Sequence, residues 1–339
     1  MKIVVDCVGG DDAPKSAILG ALDALNKDKD LQVVLTGPIE SLQSVLKEEK
    51  YDVTRVQLLN CREQIANDEV PSVAIRQKPD SSLVQGLKLL KEDSSVGGFV
   101  GQGSTGALLT GALLGLGRIK GLSRPAVCPI LPNIKGGKVF ILDAGANNEN
   151  TPQHLYHFAL MGSVYARAMG VQNPRIALLS NGTERHKGMA MHQEAYDLIA
   201  ANPSLNFIGN IEGRELLSGN VDVVVADGYA GNIALKTAEG TALSVMQMLK
   251  QTIESSFWAK VGALFMRPSL RKLRKQLNYT EYGGAIFLGI NKVVVKVHGS
   301  GNRQSICNAI LQTKEMAKSN LIENIKELLT NQNGISAQD

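Results

Sequence analysis

Short runs of β-branched and apolar residues alternate with amphipathic stretches along nearly the whole chain. Runs at 3–6, 32–36, 56–59, 97–100, 139–143, 176–180, 221–226 and 293–297 predict strands. Apolar positions spaced by three and four predict helices over 14–25, 81–91, 152–169, 189–201 and 306–328. Several strands, VVVAD at 223–227 among them, are apolar almost throughout, as a sheet covered on both faces requires. The alternation therefore predicts an α/β fold with a largely parallel sheet between helical layers. The run 94–117 is 24 residues long and uncharged, but eight of those are Gly. It reads as a buried strand, a glycine turn and a buried helix, because no continuous apolar stretch in it reaches the roughly 20 residues of a membrane span. No linker or internal repeat divides the chain, so a single domain over 1–330 with a polar tail at 331–339 is expected.

Composition adds the glycines, 34 of 339 residues, and they are not scattered. Gly9 and Gly10 follow the first strand, a cluster from Gly101 to Gly106 the fourth, and Gly145 the run ending at 143. Gly182 and Gly188 flank the turn after 176–180, and Gly228 and Gly231 follow 221–226. Ligands of open α/β sheets bind at the carboxyl ends of strands. Glycine there lets backbone N–H groups approach an anion, and the next helix N-terminus favours it. The polar residues in these turns make the candidate site: Asp11, Ser104, Thr105, Asp143, Asn147, Asn181, Thr183, Lys187, Asp227, Asn232 and Lys236. His186 and His298 sit beside glycine turns and are candidate ligand contacts. For Asp11, Asp143 and Asp227 a turn-stabilising role is the alternative. GxSxG and the Walker A pattern are absent, which argues against a serine hydrolase and a P-loop kinase. His154 and His157 form HxxH without the Glu of a zinc hydrolase, and the four cysteines form no CxxC, so no metal or other cofactor is expected. The cysteines and the acidic start MKIVVDCVGGDD lead to the expectation of a reduced, cytoplasmic protein.

The net charge of +4 is local. Residues 255–280 hold Lys260, Arg267, Arg271, Lys272, Arg274 and Lys275 and no acid, together with Phe257, the single Trp258, Leu264, Phe265 and Met266. Pro268 is expected to end the helix there. This basic, apolar-tipped segment, part of a helical insertion over 244–282, suits an anionic membrane surface, an acidic protein partner or a packed hairpin between two copies. With 15 aromatics in all, an RNA-stacking surface and a nucleic-acid partner are not expected.

DCVGGDDAP, STGALLTGALLGLGRIKG, RPAVCPILP, LDAGANNENTPQHL, MGSVYA, NGTERHKG, FIGNIEGR, DGYAGNIALKTAEG, EYGGAIFLGI and VHGS occur in this order. Together they resemble the phosphate acyltransferase family of bacterial phospholipid synthesis, from residue 1 to about 328. The opening turn departs from the family's DAMGGD at Cys7 and Val8, and GSTGA replaces GNTGA at Ser104. The resemblance implies a three-layer α/β/α sandwich around a long mixed sheet, like the isocitrate dehydrogenase and phosphate acetyltransferase group. It implies a homodimer at the membrane's inner face that converts acyl carrier protein thioester and inorganic phosphate to acyl phosphate. A membrane glycerol-3-phosphate acyltransferase would then take up the product. On that reading Lys187 holds phosphate, Asn147, Thr183 and Asn232 donate hydrogen bonds, and Asp227 or His186 protonates the leaving thiolate or fixes Lys187. The rival readings are an acyl-CoA:phosphate transferase, a metal- and NAD(P)-dependent decarboxylating dehydrogenase, which lacks its Asp cluster here, and a non-catalytic membrane-surface scaffold.

Overall fold

The computed structural model describes residues 1–277 and 283–335, with the side chains of 272, 274–277 and 331–335 left undescribed. The chain begins β1 (Lys2–Asp6), α1 (Lys15–Lys27), β2 (Gln32–Gly37), α2 (Ile39–Leu46), β3 (Val56–Asn60), α3 (Pro71–Gln77) and α4 (Ser82–Glu92). It continues β4 (Val96–Gly101), α5 (Thr105–Leu116), β5 (Ala126–Cys128), β6 (Ile130–Pro132), β7 (Lys138–Leu142), α6 (Pro152–Ala168), β8 (Arg175–Leu179) and α7 (Ala190–Ala200). The last part runs β9 (Asn206–Ile211), β10 (Val223–Val225), α8 (Gly228–Glu254), α9 (Phe257–Leu277), β11 (Ala285–Leu288), β12 (Val293–Lys296), α10 (Arg303–Lys318) and α11 (Leu321–Ile335).

Seven strands form one sheet in the order β3-β2-β1-β4-β12-β11-β5, and five form another in the order β6-β7-β10-β8-β9. Only Pro129 separates β5 from β6, and Ala144 N–H bonds Val127 C=O at 3.0 Å, so the two sheets join edge to edge into one long mixed sheet. Pairing is parallel except where β11 meets β12 and β5, and where β6 meets β7. The layers follow from the two-residue period of a strand. Ile3 and Val5 of β1 pack with α1 and α10, whereas Val4 between them packs with α4 and α5. In β10, Val223 and Val225 face the α6 side and Val224 faces Leu235 of α8.

Local chemistry sets the helix starts. Ser81, Ser104, Asp227 and Asn302 cap α4, α5, α8 and α10 through side-chain oxygens that accept backbone N–H groups. Thr151 and His154 form a reciprocal capping box at α6 with Pro152 in its first turn, which accounts for half of the HxxH pair.

Four expectations change. The strands β5, β6, β9 and β11 are additional to those expected; β5 and β6 are three-residue segments hemmed by prolines, β9 is a half-polar outer strand, and β11 is a short apolar run, AIFL. The single helix expected over 306–328 is two, because Asn320 takes φ 53° and turns the chain, a conformation Asn tolerates better than most residues. Pro268 does not end its helix: α9 runs through it, and Ala263 and Leu270 on either side line a groove against Met246, Leu249 and Ile253 of α8. Packing on both flanks outweighs one lost hydrogen bond. α11 carries the chain to Ile335, past the tail boundary expected at 330. Among the described residues no helix is long and apolar enough to cross a membrane.

Candidate active site

The carboxyl ends of β4, β7 and β12 and the starts of α5, α8 and α10 converge on a cavity of about 300 Å³. Thr105 opens α5, Gly145 follows β7, and Asn232, Leu235, Lys236 and Glu239 come from the first turns of α8. Lys296 ends β12, His298 and Gly301 follow it, and Ser305 lies in the first turn of α10. The rest of the lining is largely apolar: Val127, Pro129, Ile130 and Leu131 from the joint between the two sheets, with Ala144, Leu235 and Val297. The starts of α5 and α10 add helix-dipole attraction for an anion.

The charged wall lacks a counter-ion for all its cations. Lys236 Nζ bonds Glu239 Oε2 at 3.0 Å. Lys296 forms no ion pair among the described residues; its Nζ donates to Val297 C=O at 2.6 Å. Burial and the neighbouring Lys236 charge pull the Lys296 ammonium down to about 8, with Asp11 opposing. Burial, then Lys236 and Lys296, also lower His298 below the ordinary histidine value. Ser300 N–H donates to His298 Nδ1 at 3.3 Å, and Ser300 Oγ lies 2.8 Å from the same nitrogen; with Nδ1 accepting, the ring hydrogen is on Nε2. Mutual repulsion of this kind is relieved by an anion bound between the cations.

A polar frame behind the cavity holds these pieces. The fully buried Asp143 carboxylate accepts from the N–H groups of Val127, Gly145, Ala146 and Asn147 and from Asn147 Nδ2. Burial raises its pKa, partly offset by those donors. Asn147 spends its amide on Pro125 C=O at 2.7 Å and on Asp143 at 2.9 Å. Asp143 and Asn147 therefore build the turn at the sheet joint and lie outside the cavity lining, with the Asn147 amide engaged by backbone and Asp143. Asp227 caps α8 through Ala230 N–H at 2.9 Å and pairs with His192 Nε2 at 3.2 Å. The His192 bond holds its carboxyl below the usual range. An Asp227 held ionised in this way is suited to capping α8 and pairing with His192 rather than to giving up a proton. Gly231 packs so closely on the Asp143 carbonyl that α8 begins directly over this turn.

The remaining candidates separate into groups. Gly9 abuts Gly103 backbone to backbone, Gly10 lies on the Gln102 side chain, and Gly106 meets Pro71. Asp11 N–H bonds Gly299 C=O at 3.0 Å, and Ser104 caps α5. These residues brace the cavity without lining it. Lys187, Asn181, Thr183 and His186 lie on the loop between β8 and α7, outside the cavity lining. Asn181 closes that loop by accepting from Gly188 N–H at 2.9 Å, and His192 links it to Asp227. Three residues carry no motif signal and were missed: Lys296, His192 and Gln102. The buried Gln102 donates to Gly301 C=O at 2.8 Å and to His298 C=O at 3.3 Å, pinning the turn after β12. Lys296 had one usable signal, a lone cation ending an apolar strand, VVVK.

On the α8–α9 hairpin, Phe257, Trp258, Leu264, Phe265 and Met266 are exposed, the most open being Phe265 at 81%. Arg267 and Arg271 border the groove between the two helices. The side chains of Lys272, Arg274 and Lys275 lie outside the described residues. The insertion has no helix start at 244; α8 is continuous from the cavity to Glu254, and only Gly228, Gly231 and Leu235 of it are buried.

Known proteins share both the sequence and the fold. A family model described as "Fatty acid synthesis protein" matches residues 1–324. A phosphate acyltransferase from Clostridium tetani is 46% identical over 98% of this chain and 98% of its own length. One from Thermoanaerobacter pseudethanolicus is 44% identical over 96% of this chain and 97% of its own. A solved phosphotransacetylase from Streptococcus pyogenes superposes with a TM-score of 0.64 at 19% identity, covering 94% of each chain, and shows the same fold. Near-complete matches in sequence, on the sheet architecture that places an anion-seeking cavity at its strand ends, assign this chain to the phosphate acyltransferase family.

Proposed function

We propose that the protein transfers the acyl group of an acyl carrier protein thioester to inorganic phosphate and releases acyl phosphate, the donor for glycerol 3-phosphate acylation in phospholipid synthesis. The observation that carries this reading is the mixed lining of one cavity: Lys236, Lys296 and His298 together with Val127, Ile130, Leu131 and Leu235. Phosphate is already an anionic nucleophile, so a side-chain nucleophile is unnecessary, and the protein supplies position and charge balance. All four cysteines are buried and none lines the cavity. Phosphate rests between the two lysines and the α5 and α10 starts. Its oxygen attacks the thioester carbonyl, the oxyanion receives hydrogen bonds from the Asn232 amide and His298 Nε2–H, and the C–S bond breaks.

The exposed basic hairpin is where this reading places the acidic carrier protein and the anionic inner face of the cell membrane. Leu243, Val245 and Met248, exposed on α8, are the surface proposed to meet a second copy in a homodimer. The test is thiol release from long-chain acyl carrier protein, long-chain acyl-CoA and acetyl-CoA, with and without phosphate. Phosphate-dependent release from the acyl carrier protein supports the reading. Release from acetyl-CoA alone replaces it with a phosphotransacetylase.

A further inference from the structure

A thiolate expelled beside an apolar wall needs a proton, and few groups at the cavity can give one. Asp227 is held ionised by His192. His298 keeps its hydrogen on Nε2 while Nδ1 accepts from Ser300, which suits a hydrogen-bond donor to an oxyanion. Lys236 is committed to Glu239 at 3.0 Å. Lys296 has no such carboxylate: its Nζ rests on a backbone carbonyl at the end of β12, and its side chain lines the cavity.

We propose that Lys296 is the catalytic acid that protonates the leaving sulfur, an inference that rests on the acyl-transfer reading above. Hydrogen phosphate attacks through an unprotonated oxygen, a C–O bond forms, and the C–S bond breaks as the Lys296 ammonium proton passes to sulfur. The neutral amine then takes the remaining hydroxyl proton of the bound acyl phosphate. Atoms and charge balance: thioester and hydrogen phosphate dianion give thiol and acyl phosphate dianion, and Lys296 ends as it began. The charges facing Lys296 are Lys236 from α8 and Asp11 from the first turn, with His298 two residues on and Glu239 beside Lys236. Burial and Lys236 bring the ammonium to about 8. That lies near the ordinary thiol value of about 8.5, so transfer to sulfur is close to balanced, the condition for efficient acid catalysis.

The test compares an alkyl thioester with an aryl thioester of the same acyl group, whose thiolate leaves without a proton, each with phosphate. Lys296→Arg keeps the charge, but arginine holds its proton. The expected loss of kcat on the alkyl thioester is about 10²-fold and exceeds the loss on the aryl thioester by at least about 30-fold. Both substrates are read on one preparation, so partial unfolding cancels from the ratio. Equal losses on the two, or none, overturn the assignment. The wild-type enzyme gives an independent reading: kcat/KM for the alkyl thioester falls as pH rises above about 8, where the ammonium is lost, and falls more steeply than for the aryl thioester, which loses only the Lys296 charge on phosphate. A flat alkyl profile also overturns it. Absence of phosphate-dependent release by the wild type on either substrate removes the acyl-transfer reading, and the proton step with it.

Discussion

Two glycines nine residues apart on α8 should respond to the same substitution in opposite senses. A Cβ on Gly231 would lie 1.9 Å from the Asp143 carbonyl oxygen, where real Cβ contacts essentially never fall below 3.0 Å. Gly231→Ala must therefore move the start of α8 off the β7 turn by roughly 1 Å, because its neighbour is backbone and cannot rotate away. The strain should cost about 1–3 kcal/mol. An unfolding entropy of about 2.1 cal/mol/K per residue makes 1 kcal/mol worth about 1.4 °C at this length, so Tm falls about 1–4 °C. The displaced residue next in line is Asn232, and a 1 Å misplacement at a reacting centre costs about 10²-fold in rate. At Gly240 a Cβ meets nothing within 4 Å. Gly240→Ala should gain about 0.5–1 kcal/mol of helix stability, raise Tm by about 1 °C and leave turnover unchanged. Thermal melts and phosphate-dependent thiol release on both variants are the assay. Wild-type turnover and Tm in Gly231→Ala would refute the argument that this close approach positions Asn232.

Asn232→Ala should lower kcat by about 10²-fold or more with little change in Tm, read by the same thiol-release assay; wild-type kcat would remove Asn232 from the oxyanion site. Asp227→Asn keeps a good helix cap but loses the charge facing His192. Because the folded Asp227 carboxyl lies below its unfolded value of about 3.9, its contribution is complete above that pH and is lost as pH falls through the folded value. The Tm deficit of Asp227→Asn should therefore shrink below about pH 4, and a deficit independent of pH would contradict the pairing. Leu264→Glu and Phe265→Glu, at exposed positions on α9, should abolish flotation with anionic liposomes while leaving phosphate-dependent thiol release from long-chain acyl-CoA intact; flotation like wild type would exclude the hairpin as a membrane contact.

Much of the scaffold is legible along the chain because apolar runs and capping residues act locally. The strand VVV at Val223–Val225 forms where its apolar run predicts one, and Ser104 and Thr151 cap α5 and α6 through contacts only three residues away. Local rules fail where distant packing decides. Pro268 stays inside α9 because α8 supports the helix on both sides. β5 and β6 are too short to be read alone and exist because β11 and β7 offer partners. In the candidate site, the glycine turns are visible as a set, but their division of labour is not. Gly9, Gly10 and Gly103 use their lack of a side chain to pack turns together, whereas Gly145 and Gly301 line the cavity.

The sequence by itself determined the α/β class, the family and the concentration of basic charge in one segment, and it pointed to the strand ends for the candidate site. These are carried by periodicity, motif order and composition, which need no knowledge of what is distant in sequence but close in space. Only the tertiary structure decided which polar residues face one another. It joined Thr105, Asn232, Lys236, Lys296 and His298 around one cavity, turned Asp143 and Asn147 inward to hold the sheet joint, and paired Asp227 with His192. The physical reason is that a residue's chemistry here depends on burial and on neighbouring charge. Lys296 is an ordinary lysine along the chain, and becomes an unusually acidic ammonium only when the fold buries it beside Lys236.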